Sequence, residues 1–232
     1  SIKKIENTGG FDKFINILNN NPNSEEIETI FTILLYSLNY IHEDFIAENR
    51  SLFENSFINY INKLDENEIR KFKDDSIDFA KSFLKEIFKS NAQNQISIEE
   101  KIDLHLAFKK LKASIFDKRL QGIKYLNEFF KKNEKNEDKL SYACELIKES
   151  GVVLSIYGSG YHSEILSKSN IIVKHLLKNK KLGEKEMKFI WDCTQKGDLE
   201  AKNIIIKLLL EMLPDMDEQF IGILMDCANA TF

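Results

Sequence analysis

Turn formers are almost missing from this chain: two prolines and nine glycines are spread over 232 residues. Sandwiches and α/β folds need a turn signal every ten residues or so, and a chain this poor in them is confined to long helices joined by short connections. Apolar residues recur three and four apart along most of its length, the spacing that builds one buried face on a helix. Ile27, Ile30, Phe31, Leu34, Leu38 and Ile41 form one stripe, and Leu104, Ala107, Phe108, Leu111 and Ile115 another. Phe116, Leu120, Ile123, Leu126 and Phe130 follow, then Leu140, Ala143, Cys144 and Ile147. Met187, Ile190, Trp191 and Thr194, and finally Phe220, Ile223, Leu224 and Cys227, close the series. No stretch of comparable length alternates with period two. The fold class is therefore all-α.

Helix starts fall where the stripes need them. A capping side chain followed three positions later by Glu satisfies orphan backbone donors, and Asn23 with Glu26, Asp65 with Glu68, Ser97 with Glu100 and Asp215 with Glu218 fit that pattern. Gly151, Gly158, Gly160, Gly183 and Gly197 are expected stops or turns. Helices over about 161–178, 184–195, 198–213 and 215–230 have very short connections, so each packs against the next as an antiparallel hairpin. The third of these is apolar around most of its circumference, which predicts burial between neighbours. One such central helix among amphipathic ones suits an armadillo/HEAT-like α-solenoid, favoured over a compact bundle that the pattern leaves open. With no linker visible, residues 1–232 read as a single helical-repeat domain, and the start at Ser1 without Met reads as a segment of a longer protein.

Composition narrows the function. Apolar residues make up 43% and charged residues 30%, too apolar for a disordered chain. The 33 basic and 37 acidic residues are interspersed, for a net charge of -4, so neither nucleic acid nor an anionic membrane is an expected partner. The densest basic stretch, Lys174, Lys178, Lys180, Lys181, Lys185 and Lys188, encloses Glu184 and Glu186 and reads as a solvated surface. No apolar run approaches the roughly eighteen residues of a membrane span. Cys144, Cys193 and Cys227 are odd in number and widely spaced, without C-x-x-C, which argues against a disulfide framework or a zinc site and for an intracellular, cytoplasmic setting. Each lies on an apolar stripe as a small hydrophobe. His42, His105, His162 and His175 form no i, i+4 pair. No catalytic residue, cofactor or metal ligand is therefore expected, and this segment reads as non-enzymatic. Trp191 reads as core. Gly158-Ser159-Gly160 lacks the strand and the Lys of a phosphate loop and is most simply an inter-helix loop; the rings around it, Tyr157, Tyr161 and His162, are the candidate protein-contact residues.

The C-terminal half carries a resemblance. Residues 150–156, His162, residues 171–182, the pair Ile190-Trp191 and the run 201–204 resemble the non-catalytic region of the large fat-facets-type ubiquitin-specific proteases. So do Gly197, the acidic turn 215–218 and the Leu-Met-Asp-Cys helix at 224–227; upstream, Gly10-Phe11, residues 64–68 and 108–130 are collinear with it. The resemblance implies armadillo-like repeats lying upstream of a cysteine-protease domain whose Cys and His boxes have no counterpart in these residues. It implies a scaffold that presents surface to ubiquitinated substrates or regulators of a deubiquitinase. A stand-alone armadillo/HEAT adaptor in transport or signalling is the alternative. Partner identity and oligomeric state stay open.

Overall fold

The computed structural model describes residues 10–20, 22–89, 96–158 and 161–229. Among them all regular structure is helical: fourteen α-helices and three short 3-10 turns. The chain divides into two compact units, Ser1–Lys109 and Lys110–Phe232. The division falls inside a helix, Ile98–Lys112, so no change in composition marks it.

The first unit contains α1 (Gly10–Asn19), α2 (Ser24–Ser37), α3 (Glu43–Lys63), α4 (Glu66–Lys71), α5 (Asp78–Phe88) and most of α6 (Ile98–Lys112). Two capping boxes start α2 and α4: Asn23 and Asp65 each accept from the backbone three residues on, and Glu26 and Glu68 return the bond. Ser97 and Glu100 do the same for α6. The stripes of α2, α3 and α5 meet in a phenylalanine cluster. Phe31 meets Phe57 at 5.2 Å and Phe83 at 5.7 Å, and Phe53 meets Phe83 at 5.2 Å, all edge to face, an arrangement that adds to burial through the ring quadrupoles. Around this core Lys101 pairs with Glu54, and Lys81 with Asp103 at 2.5 Å.

The second unit holds α7 (Phe116–Lys132), α8 (Glu137–Ser150), α9 (Val152–Tyr157), α10 (Ser163–Lys168), α11 (Asn170–Lys178), α12 (Glu184–Lys196), α13 (Leu199–Met212) and α14 (Glu218–Asn229). Helix α7 packs on α10 and α11, α9 on α12, and α12 on both α13 and α14. Gly151 ends α8 at φ 66°, a left-handed position where glycine carries no steric cost. Lys180 takes the same position after α11 at φ 55°; the amides of Lys180 and Lys181 bond back to the carbonyls of Leu177 and Leu176, closing a Schellman motif around a side chain that disfavours it.

Four sequence expectations change. The helix expected over 161–178 is broken at Ser169, which is fully buried and separates α10 from α11. The last helix starts at Glu218, capped by Asp217 through the Phe220 amide at 3.0 Å, because Leu213–Asp215 forms a 3-10 turn and uses Asp215 up. Trp191 is half-buried: the buried face of α12 is Met187, Ile190, Cys193 and Thr194, with Cys193 where the stripe read in the sequence has Trp191. Helix α13 is not enclosed. Ala201, Ile205, Leu208, Leu209 and Met212 are buried, while Leu199, Ile206 and Leu210 are 74%, 46% and 60% exposed.

Two stability experiments follow from local chemistry. Burial, with Lys101 one turn away, lowers the His105 imidazole to about 4. The unfolded chain then takes up that proton first as pH falls, so stability is full above about 6.5 and is lost between there and about 4. In His105→Gln the acid-side fall in the urea midpoint should flatten across this window. At Lys180, glycine relieves about 1–2 kcal/mol of left-handed strain against about 0.4–1 kcal/mol of added freedom in the unfolded chain. Lys180→Gly should therefore raise the thermal midpoint.

Candidate functional site

The rings singled out in the sequence occupy the end of α9 and the start of α10, and the structure gives them different tasks. Tyr157 is only 2% exposed, so it is removed from the contact surface. Its hydroxyl lies 2.5 Å from Ser169 Oγ, which itself donates to the Leu166 carbonyl at 2.7 Å, so the phenol is the donor of the pair. Burial pushes the phenol pKa up. The Tyr157 carbonyl accepts the Cys193 thiol at 2.8 Å. A buried polar ring needs such partners, and these tie α9 to the break at Ser169 and to α12.

Tyr161 is half-buried, with its hydroxyl 3.5 Å from the Lys196 carbonyl. The chain can approach it there because residue 197 is glycine: a Cβ would stand 2.5 Å from the Cys193 carbonyl oxygen and 3.3 Å from the Tyr161 hydroxyl. His162 is exposed and caps α10, accepting the Glu164 amide at its Nδ1 at 3.2 Å, with its ring 4.2 Å from that of Phe116. Ser159 and Gly160 of the loop lie outside the described residues.

Tyr161 contributes to two cavities. One, of about 820 Å³, is bounded by the turn after α6, by Arg119 of α7, by Leu154 and Tyr157 of α9, and by Phe189, Asp192 and Lys196 of α12. The other, of about 510 Å³, lies among His162, Glu164, Asp198, Glu200 and Ile204. The three contact candidates are thus brought to one region, Tyr161 half-buried and His162 exposed at cavity walls and Tyr157 a buried part of the larger cavity's wall.

Arg119 was missed in the sequence. It lies three residues after Phe116 and four before Ile123, a charge on an apolar face, and that anomaly is the signal that points to it. It is 8% exposed, and its Nη2 donates to the Ser155 carbonyl at 2.9 Å. Burial lowers its pKa, yet a guanidinium stays charged across the physiological range.

The thiols sit as the stripes predict for two of three. Cys144 and Cys193 are buried, and burial raises them to about 12 and about 11; Cys227 is half-buried and raised less. Among the described residues no group of three or more His, Cys, Asp or Glu is placed to hold a metal ion, and no helix is long and apolar enough to cross a membrane. The basic stretch around α11 and α12 is ion-paired surface: Lys174 with Glu211 at 2.7 Å, Lys181 with Glu145, and Lys188 with Glu184 at 2.6 Å.

No family model, curated protein or solved structure matches the chain. Thiol chemistry offers a direct check on the site geometry. Since only the thiolate alkylates, iodoacetamide at pH 8 should modify Cys227 first and leave Cys144 and Cys193 unmodified until the protein is denatured, as read by peptide mass spectrometry.

Proposed function

We propose that this chain is a non-catalytic protein-interaction segment built of helical repeats, of the kind its C-terminal half resembles in the large fat-facets-type ubiquitin-specific proteases. The supporting observation is the uncovered face of α13. Leu199, Asn203, Ile206 and Leu210 are spaced 4, 3, 4, the spacing of a coiled-coil seam with one polar layer, and Leu213 follows three residues on, in the 3-10 turn. The apolar members are 74%, 46%, 60% and 41% exposed, and the opposite face of the same helix is buried. A helix apolar on two sides suits the interior of a stack of hairpins, and an exposed run of large aliphatic side chains marks a place for another protein.

The occupant this seam suits is an amphipathic helix. The 4, 3 spacing matches knobs from a facing helix, and Lys202 and Lys207 stand on either side of the seam, favouring acidic flanks on the partner. Attached to a deubiquitinase, such a surface would scaffold the enzyme or recruit substrates and regulators, while hydrolysis belonged to a separate domain.

The double variant Leu199→Glu/Leu210→Glu should keep the helical circular dichroism of the parent, because both residues are largely exposed. It should lose binding of the dye ANS and of a designed amphipathic helix with acidic flanks. Unchanged binding of both would sink the interaction reading. For the protease reading, the full coding sequence should encode a hydrolase domain with Cys and His boxes, and the isolated segment should leave a ubiquitin-fluorophore substrate intact.

A further inference from the structure

We propose that the partner of the α13 seam is a second copy of this chain, whose own α13 lies antiparallel across it on a two-fold axis. The inference rests on the reading of that face as a recognition surface, and it names what covers it.

The residues beside the seam carry the case for self-pairing. Leu199 and Ile206 occupy one position of the heptad, and Asn203 and Leu210 the other. Glu200 and Lys207 then form the flank that follows the first position, and Lys202 and Leu209 the flank that precedes the second. Glu200 and Lys207 are exposed, and neither belongs to an ion pair among the described residues. Glu211, the carboxylate one turn beyond Lys207, is held by Lys174 at 2.7 Å. Leu209 is 6% exposed, buried within its own unit.

Those charges decide the direction of the second helix, because flanking residues set partner and orientation in a coiled-coil pair. In a parallel pair, each residue of the preceding flank meets the residue five further on in the other helix. Lys202 would then oppose Lys207, twice by symmetry. In an antiparallel pair each flank meets its own kind. Glu200 meets Lys207 of the second copy, and the two-fold axis repeats the pair. On the other flank Lys202 stands level with Leu209, so no like charge opposes it.

The seam is matched layer by layer in the same arrangement. Leu199 faces Leu210 of the second copy, Asn203 faces Ile206, and the axis passes midway between residues 204 and 205. The two Asn203 side chains approach diagonally across that axis. Each amide carries both a donor and an acceptor, so each can bond to the other. A polar position satisfied in one register only excludes the others. A single four-layer seam is smaller than a permanent dimer needs, so the association is reversible, with a dissociation constant on the order of 10–100 µM.

The test is sedimentation equilibrium of the whole chain over about 5–500 µM, which should fit a monomer–dimer equilibrium. Glu200→Lys and Lys207→Glu each set like charges against one another at both symmetric pairs, and each should weaken the dimer about tenfold. Mixing the two variants in equal amounts should restore the parental affinity, because each then carries the charge the other lacks. Leu199→Glu/Leu210→Glu should stay monomeric throughout. A parent chain that is monomeric at every concentration, a Lys207→Glu variant that associates more tightly, as parallel pairing requires, or a mixture no tighter than its components overturns the proposal. A monomeric chain that still binds the designed helix with acidic flanks refutes self-pairing alone. Loss of both the dimer and that binding removes the recognition surface with it.

Discussion

Tyr157 holds the second unit together from a position with almost no exposed surface. Its carbonyl receives the Cys193 thiol from α12 and its hydroxyl reaches Ser169 between α10 and α11. Three segments distant in sequence are thereby fixed around the C-terminal end of α9. Both polar atoms are buried, so each bond is worth more than its counterpart in water, and losing a partner strands the other group without solvent. The cavity walls inherit this rigidity: Leu154 and Tyr161 flank the tyrosine on either side in sequence, and Phe189 and Lys196 bracket Cys193 on α12.

The helical character was legible from periodicity because burial acts on every third and fourth residue at once. The boxes at Asn23, Asp65 and Ser97 were legible because each is local, closed within four residues. What failed depended on partners far away in sequence. Ser169 reads as interior to the helix expected over 161–178 until the fold places Tyr157 against it, where the helix is broken. Trp191 and Cys193 compete for the buried face of α12, and a single-sequence stripe cannot rank them when the neighbouring helices decide the rotation. At 215–218 two aspartates could cap the last helix, and the 3-10 turn after Pro214 selects the second.

The candidate site was legible in part for the same reason. Aromatic rings around a glycine-containing loop pointed to a region with two cavities, but how each ring sits there was set by the fold: Tyr157 turned inward, His162 became a cap, and Tyr161 remained at the cavity wall. Arg119 illustrates the opposite case. Its neighbours at three and four residues are apolar, so the sequence marks it as out of place, and only the structure shows that it donates to the Ser155 carbonyl at the wall of a cavity. On α13 the residues read as apolar all round are so, and one side of them faces outward.

The position of the single tryptophan has a further use. Trp191 lies in α12, in the second unit, and the first unit has phenylalanine and tyrosine only. Indole emission therefore reports on residues 110–232 alone, while the ellipticity of the whole chain reports on both units. If the two units melt separately, the two signals will diverge; if the signals coincide, the chain unfolds in one cooperative transition.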